Sequence, residues 1–333
     1  MNMQKITIDV VAEKCGFSRA TVSRVINREG IVKPSTAEKV EKAVQELGYT
    51  PNLMARALSG GNSRTIAILL PDVVREYYTA LIAGADAAAE EKGYNLIIKT
   101  RNTKRALIDL IEGRRVDAFL LRFAGSSSFD LEFLNRLKKR KIPYIIIGKP
   151  PFSDDHPSIL IDNIGGARLM AKHYAMHGFQ RILFITGPEE SLDSQDRIYG
   201  FKIGLSEQGI DPANVVVVRG DFSRQSGYEA MRTFLETERA DVVFAANDHM
   251  ALGVMRYCQD IGMRVPEDIA ITGFDDNFFA EYLQPSLTTV QQPMHAIGDL
   301  AVGNLIQIIE GGRALESRII LSTKLQIRHS CGC

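Results

Sequence analysis

Two groups of residues in this 333-residue chain have the types and spacing to do chemistry. The first lies in TIDVVAEKCGFSRATVSRVIN, Thr7 to Asn27. Ile8, Val11, Ala12 and Cys15 recur at i, i+3, i+4 and i+7, an apolar stripe along one helix. Gly16 stops that helix. Ser18 is placed to cap the next, its hydroxyl accepting from a backbone N–H with no intrahelical partner. In the second helix Val22, Val25 and Ile26 face inward. Arg19, Ala20, Ser23, Arg24 and Asn27, with Thr21 beside them, form a polar, cationic face. Alone, such a face is a solvated one. Two helices around a glycine turn, with a serine cap and outward arginines, are instead how a helix-turn-helix presents its second helix to the major groove of DNA. The second group is scattered: Asp162, Arg197, Asn247, Asp248 and Asp275 each sit where a strand is expected to end or a helix to begin. Carboxylates, an amide and a guanidinium converging on one crevice are the partners that vicinal hydroxyls require. Phe222 offers a ring for the apolar face of such a ligand, and Tyr77 and Tyr78 can close the other side. Each has a plainer use: Asn247 and Asp275 can cap the helices that follow them, and Arg197 can pair with Asp193 or Asp196.

The elements that must position these residues change character near residue 65. Before it, a third helix is expected from Val32 to Tyr49, with Pro34 in its first turn, a stripe of Val40, Ala43, Val44 and Leu47, and Gly48 as its stop. The composition of TPNLMARALSGGNSR, residues 50–64, is that of a linker, with room for two helical turns from Asn52 to Leu58. After it come TIAILL, NLIIK, DAFLL, PYIII, SILI, RILFI, VVVV, DVVFA and DIAIT, most of them separated by helix-like stretches. Continuous apolar runs of branched residues suit parallel strands covered on both faces. ILLPD and FITGP each end a strand, so the α/β pattern runs twice and implies two lobes with a cleft between them.

A resemblance covers nearly the whole length. ATVSRVIN, then Leu47-Gly48-Tyr49-Thr50-Pro51-Asn52 followed by ARALSG, then AANDHMALG (245–253), ITGFDD (271–276) and PSLTTVQQP (285–293) occur in the order found in the LacI/GalR family of bacterial transcription regulators, which this chain resembles. The resemblance implies an all-α helix-turn-helix head (1–50), a hinge helix and linker (51–64), and a periplasmic-binding-protein-like core (65–333) of two doubly wound parallel sheets. Its N-lobe would hold about 65–160 plus 293–320, and its C-lobe about 163–290 plus 323–330. It implies a hinge that folds on DNA, with Leu58 as an apolar wedge in the minor groove and Ala55 and Asn52 at close approach. It implies effector contacts at Asp162, Arg197, Phe222, Asn247, Asp275 and Gln292, with Arg122 where the loop after the third strand meets the cleft. The segment from Thr100 to Arg115 is shorter than the family's usual loop and helix.

Composition sets bounds. A hydrophobic share of 45% and a charged share of 24% are ordinary for globular chains, so extensive disorder is not expected. The formal net charge is zero, but residues 1–64 carry ten Lys/Arg against six Asp/Glu. A basic head on an acidic body suits a protein that meets phosphates at one end. MNMQKITID has no apolar run of a secretory signal, and no stretch is long enough to span a bilayer, so a cytoplasmic location is expected. Cys15, Cys258, Cys331 and Cys333 show no disulfide framework. The first two read as small core residues; Cys331-Gly332-Cys333 could bind metal or sense redox state, but reads first as a frayed tail. His173 and His177 have the i, i+4 spacing of a metal pair. No third ligand is evident, and His177 before Gly178 reads as a cation near a helix C-terminus, so no metal site is expected. No phosphate-binding, dinucleotide or zinc-protease motif is present, and no nucleophile–base set supports an enzyme.

The expected protein is thus a sequence-specific DNA-binding regulator, a repressor acting as a homodimer on a pseudo-palindromic operator, with no cofactor. Its operator affinity would be set by a small molecule in the cleft. Two arginines there leave a sugar acid or sugar phosphate and a neutral sugar equally open. A protein partner or a purine-like corepressor is the alternative; a sugar receptor and an enzyme rank last.

Overall fold

The computed structural model describes residues 6–27, 32–49, 62–71, 76–100, 104–123, 128–150, 153, 155–312 and 318–333. It divides into two compact units, Met1–Ser63 and Arg64–Cys333.

The first unit is built on helices α1 (Ile8–Cys15), α2 (Arg19–Asn27) and α3 (Pro34–Leu47). Their stripes meet in a small core centred on Val11, Val22 and Val40, each with no exposed surface, with Ala12, Val25 and Ala43 around them. Gly16 and Gly48 end α1 and α3 in the left-handed conformation, at φ 74° and 60°. The third helix is shorter at each end than Val32 to Tyr49: Lys33 and Gly48 are its caps.

In the second unit the described residues form two six-stranded sheets. The N-lobe sheet is built from β1 (Thr65–Leu70), β2 (Asn95–Thr100), β3 (Ala118–Arg122), β4 (Tyr144–Ile147), β5 (Ser158–Ile161) and β11 (Arg318–Leu321), in the order β11-β5-β4-β3-β1-β2, all parallel. The C-lobe sheet is built from β6 (Ile182–Thr186), β7 (Val215–Arg219), β8 (Val242–Ala245), β9 (Ala270–Asp275), β10 (Thr288–Gln291) and β12 (Lys324–Gln326), in the order β12-β10-β9-β8-β6-β7. The sheet is parallel as expected except at one edge. β12 runs antiparallel to β10, because the chain reaches it directly from β11 in the other lobe without a helical crossover to reverse its direction. A second correction concerns β2 and β7. Both are apolar runs, but as sheet edges they leave Ile98, Val216 and Val217 about two-fifths exposed rather than covered on both faces.

Helices α4 (Tyr77–Glu91) and α11 (Met294–Ile309) pack together on the N-lobe sheet. They approach closely because Gly84 and Gly298 face the partner backbone; a Cβ on Gly298 would stand 2.1 Å from the Leu81 carbonyl oxygen. In the C-lobe, α7 (Asn163–His177) and α8 (Leu192–Glu207) pack together, and Tyr174, Phe184, Phe201 and Phe244 fill the core with edge-on ring contacts. The Tyr174 hydroxyl, buried with them, meets the Thr272 hydroxyl at 2.6 Å, so its polar tip is satisfied.

The chain passes between lobes after β5, after β10 and after β11. The first and third passages are bonded to each other: Asp162 N donates to Leu321 O at 2.9 Å, and Thr323 Oγ1 to Asp162 O at 3.2 Å. Residues 329–333 do not fray. His329–Cys331 forms a 3-10 turn whose Ser330 is fully buried, donating through Oγ to Ile271 O at 2.6 Å and accepting from Thr288 N at 2.9 Å. The segment supplies backbone partners to the C-lobe sheet edge, which holds it in place. Replacing Gly298 by Ala is expected to destabilise the core by about 1–3 kcal/mol through overpacking, read as a lower urea midpoint with unchanged slope; an unchanged midpoint would show that the two helices part freely.

Candidate functional site

On the head, α2 presents the face expected of it. Ser18, Arg19, Ala20 and Arg24 are exposed, Thr21 and Ser23 half-buried, while Val22 and Val25 turn into the core. Ser18 caps the helix: its Oγ accepts from Thr21 N at 3.2 Å and lies 2.9 Å from Thr21 Oγ1. The Arg19 guanidinium stands 3.8 Å from Asp9 with both side chains about two-thirds exposed, a loose pair that leaves the cation available to phosphate or base edges. Asn27 ends α2, and its side chain is not among those described; Asn52, Ala55 and Leu58 also lie outside the described residues.

In the core, the strand ends and helix starts of both lobes converge on one crevice. Tyr77 and Tyr78 come from the first turn of α4 and Arg122 from the last residue of β3; these are the N-lobe wall. Asp193 and Arg197 come from α8, Phe222 from the turn after β7, Asn247 and His249 from the start of α10 (Asp248–Asp260), and Asp275 from the end of β9. Seven residues expected at this site therefore come together: Tyr77, Tyr78, Arg122, Arg197, Phe222, Asn247 and Asp275. Asp162 and Gln292 do not line it. Asp162 caps α7, accepting from Gly165 N at 2.7 Å, and Gln292 lies behind the wall with its Nε2 donating to Asp275 Oδ1. Asp193 and His249 line the crevice without having been expected there. Asp193 had a signal, since it precedes Arg197 by four on one helical face.

The polar groups form a continuous chain. Arg122 donates through Nη2 to Asp193 Oδ2 and through Nη1 to Ile147 O, joining the two lobes across the crevice. Asn163 Nδ2 donates to Asp193 Oδ1 at 3.0 Å, and Arg197 Nε donates to Asn163 Oδ1 at 2.9 Å. Arg197 Nη1 reaches Ala246 O at 2.5 Å and Asp275 Oδ1 at 3.4 Å, and its guanidinium lies 3.8 Å from the centre of the Phe274 ring. Arg197 therefore pairs with Asp275, not with Asp193 or Asp196; Asp196 bonds Lys149 in a second link between lobes at 2.6 Å. Asn247 does cap α10, its Oδ1 accepting from Met250 N at 2.9 Å, yet its Nδ2 also holds Phe222 O at 3.1 Å. The cap and the site are one arrangement.

Backbone strain gathers at the same place. Phe222, Asp275 and Asp276 have φ of 68°, 121° and 58°, values costly for side chains other than glycine. The Phe222 ring rests where a side chain on Gly187 would stand, since a Cβ there would lie 2.1 Å from the ring. Asp248 turns away from the crevice and accepts from Asn277 N at 2.7 Å and from Thr289 Oγ1. Burial, and then the charge of Asp275, push its carboxyl well above the usual range. A larger open groove lies elsewhere on the C-lobe between Met255, Met263 and Tyr282; it lacks such a convergence of buried charge.

Known proteins place this architecture. Residues 7–52 match the profile of bacterial regulatory proteins of the lacI family, and 171–331 that of a periplasmic binding protein-like domain. The HTH-type transcriptional regulator CelR of Thermobifida fusca is 33% identical over 335 residues, covering 97% of this chain and 98% of that protein. The chain belongs to the LacI family of bacterial regulatory proteins. Catabolite control protein A of Priestia megaterium is 32% identical, over 98% of this chain and 99% of that one. Among solved structures, the lac repressor dimer bound to operator and the anti-inducer ONPF superposes with a TM-score of 0.84 at 28% identity, covering 98% of this chain and 99% of that one. The complex of CelR with cellobiose superposes at 0.73 with 32% identity and the same coverage. This LacI-family chain is a DNA-binding transcription regulator and not an enzyme.

Asp193 carries a testable charge. Burial pushes its carboxyl up, but Arg122 first and Arg197 next, with hydrogen bonds from Arg122 and Asn163, outweigh burial and hold it below the ordinary carboxylate value. A carboxyl depressed by folding stabilises the fold above its unfolded pKa, about 3.9, and that contribution is lost as the pH falls through the lower folded value. Asp193→Asn is therefore expected to destabilise the core by about 3 kcal/mol at pH 7, because Arg122 loses its counter-charge. The gap from the unaltered protein should narrow as the pH falls below about 4. Urea unfolding at pH 7, 5 and 3.5 measures it; a gap independent of pH would contradict the assignment.

Proposed function

We propose that this regulator is a homodimeric repressor whose operator affinity is set by a neutral saccharide held between the lobes. The observation that carries the choice of ligand is the charge balance of the crevice. Arg122 is matched by Asp193 and Arg197 by Asp275, so the two arginines that suggested an acidic effector bring no net positive charge. An added carboxylate or phosphate would meet two buried carboxylates and pay for their repulsion. Neutral hydroxyls can both donate to the carboxylates and accept from the guanidinium groups, with the Phe222 ring against the sugar's apolar face. Cellobiose in CelR and ribose in an Enterococcus faecium LacI-family regulator, 28% identical and 0.72 in TM-score, are ligands of that kind. The crevice has a free volume of only about 60 Å³, because the Arg122–Asp193 bond spans it. A saccharide would enter by replacing that bond with its own hydroxyls, so its binding is linked to the lobe arrangement.

On the head, Arg19 and Ala20 would read base edges, Arg24 a base or a phosphate, and Ser18, Thr21, Ser23 and Asn27 would fix the register of α2 in the groove. Leu58, with Asn52 and Ala55, would serve the minor-groove hinge. Self-association is supported by an apolar pair on the C-lobe surface, Phe278 and Tyr282, whose rings lie 5.0 Å apart and which are 76% and 65% exposed. The lac repressor is a dimer on its operator. No described helix is long and apolar enough to cross a membrane, and the proposed place of action is the cytoplasm, where the DNA is.

Two measurements test this reading. In a thermal-shift panel of neutral saccharides, sugar phosphates and nucleobases, a neutral saccharide at about 100 times its Kd should raise the Tm by roughly 5 °C, and Arg197→Met should abolish the shift. A response confined to phosphorylated sugars or purines would overturn the ligand class. In binding to a duplex selected from a random pool, Arg19→Ala and Leu58→Ala should each weaken affinity about tenfold or more, with saccharide affinity unchanged. Unaltered duplex affinity would remove the corresponding role.

A further inference from the structure

The two histidines that stood without a third ligand are not alone. α7 carries His173 and His177 on one face, and the turn after β12 brings Cys331 and Cys333 to them across more than 150 residues of chain. His173 Nε2 lies 3.3 Å from Cys331 Sγ and 4.0 Å from Cys333 Sγ, and His177 Nε2 lies 3.2 Å from Cys333 Sγ. All four ligand atoms fall within 4.8 Å of one another. Around a tetrahedral zinc ion, with Zn–N near 2.0 Å and Zn–S near 2.3 Å, ligand atoms are separated by about 3.3 to 3.8 Å. The cluster is close to that geometry as it stands.

We propose that His173, His177, Cys331 and Cys333 form a structural zinc site that clips the segment after β12 to the last turns of α7. The donor set is two imidazole nitrogens and two cysteine sulfurs within 4.8 Å of one another, the ligand combination that selects zinc over calcium or magnesium. Four protein ligands leave no open position for a substrate, so the site is structural. Its surroundings orient the ligands. The His177 ring stacks on Phe179 with centroids 5.0 Å apart and planes 5° apart, and the Thr288 hydroxyl lies 3.0 Å from Cys331 Sγ. Cys331 and His173 are buried while Cys333 is exposed, so the ion enters from the Cys333 side. His173 Nδ1 is buried without a hydrogen-bond partner, so this ring lacks the outer support usual for a metal ligand. The thiolates carry the larger share of the affinity.

Loading forms two Zn–N and two Zn–S bonds. The two thiols release two protons to solvent, and the two thiolate charges cancel that of the ion. No oxidant or reductant takes part. The clip would hold the third passage between lobes from its C-lobe side, because β12 joins that passage to the cysteine turn and α7 begins at the first passage.

The test uses the untagged full chain, reduced and stripped with a chelator, then titrated anaerobically with Zn²⁺ and with Co²⁺ as a spectroscopic stand-in. The expected result is one ion per chain and release of about two protons per Zn²⁺. The Co²⁺ form should show a sulfur-to-cobalt charge-transfer band with strong tetrahedral d–d bands, all displaced by Zn²⁺. Cys333→Ser and His177→Gln, both changes at the open edge of the cluster, should keep the apo fold by circular dichroism and weaken zinc binding about 100-fold or more. Zinc should raise the Tm of the unaltered chain and not of the Cys333→Ser chain. The proposal is overturned if the reduced chain binds less than one equivalent or shows no thiolate band. It is equally overturned if either variant binds as tightly as the parent, or if Cys331 and Cys333 are isolated as a disulfide that no metal competes with. DNA and saccharide binding play no part in these readouts, so failure here is distinct from failure of the repressor reading.

Discussion

The core depends on one run of charge-assisted hydrogen bonds: Arg122 to Asp193, Asp193 to Asn163, Asn163 to Arg197, Arg197 to Asp275, Asp275 to Gln292. It begins on a strand of one lobe, passes through two helices of the other, and ends beside the second passage of the chain between lobes. Four of its members, Arg122, Asp193, Arg197 and Asp275, have side chains no more than 14% exposed. Removing one partner of either Arg–Asp pair leaves a charge in a low-dielectric site without compensation, which costs more than the pair itself contributes. Within this run the Arg122–Asp193 bond is the one that crosses from lobe to lobe, so it is the one a change of lobe arrangement must break. Two lobe arrangements separated in that way are what a ligand-controlled switch needs, because a ligand shifts an equilibrium only by its difference in affinity for the two states.

The strained backbone at Phe222, Asp275 and Asp276 belongs to the same economy. Asp276 is held by Gln291 Nε2 at 2.8 Å and by Arg328 Nη2 at 2.7 Å, so the last residue of β10 and one from the segment after β12 together hold the turn that aims Asp275 into the crevice. The surroundings over-determine a conformation that the local sequence disfavours. The segment after β12 thus serves the site twice, through Arg328 and through the burial of Ser330 against the strand edge.

Much of this was legible in the residues. TIAILL became β1 without a shift at either end, and the Gly16 and Ser18 punctuation placed α1 and α2 because caps and stops are local chemistry that no tertiary contact had to supply. Seven crevice residues were legible: Arg197, Asn247 and Asp275 because strand ends and helix starts in doubly wound sheets converge, Tyr77, Tyr78 and Phe222 as rings suited to an apolar ligand face, and Arg122 through the family resemblance. What was not legible depends on contacts distant in sequence. Asp162 has the same residue type and local setting as Asp275, but its carboxylate bonds the α7 backbone while that of Asp275 faces the crevice. Asp193 was seen only as a partner for Arg197, because its true partner, Arg122, lies 71 residues away in the other lobe. The tail was misjudged for the same reason: RHSCGC has no periodicity, and only the C-lobe sheet edge and α7 show where Ser330, Cys331 and Cys333 are held. β10, β11 and β12 were missed because TTVQ, RIIL and KLQ are short and each includes polar residues, too little pattern to mark a strand.

The central claim is that the occupied crevice and the DNA-bound head report on one equilibrium. Linkage makes this measurable in both directions, since the factor by which a saccharide changes duplex affinity must equal the factor by which the duplex changes saccharide affinity. The direct measurement is calorimetric titration of the saccharide into the free protein and into its complex with a selected duplex, beside duplex titrations with and without saccharide. The account predicts two different saccharide affinities whose ratio matches the ratio of the duplex affinities. Equal saccharide affinities for the free and DNA-bound protein would contradict it.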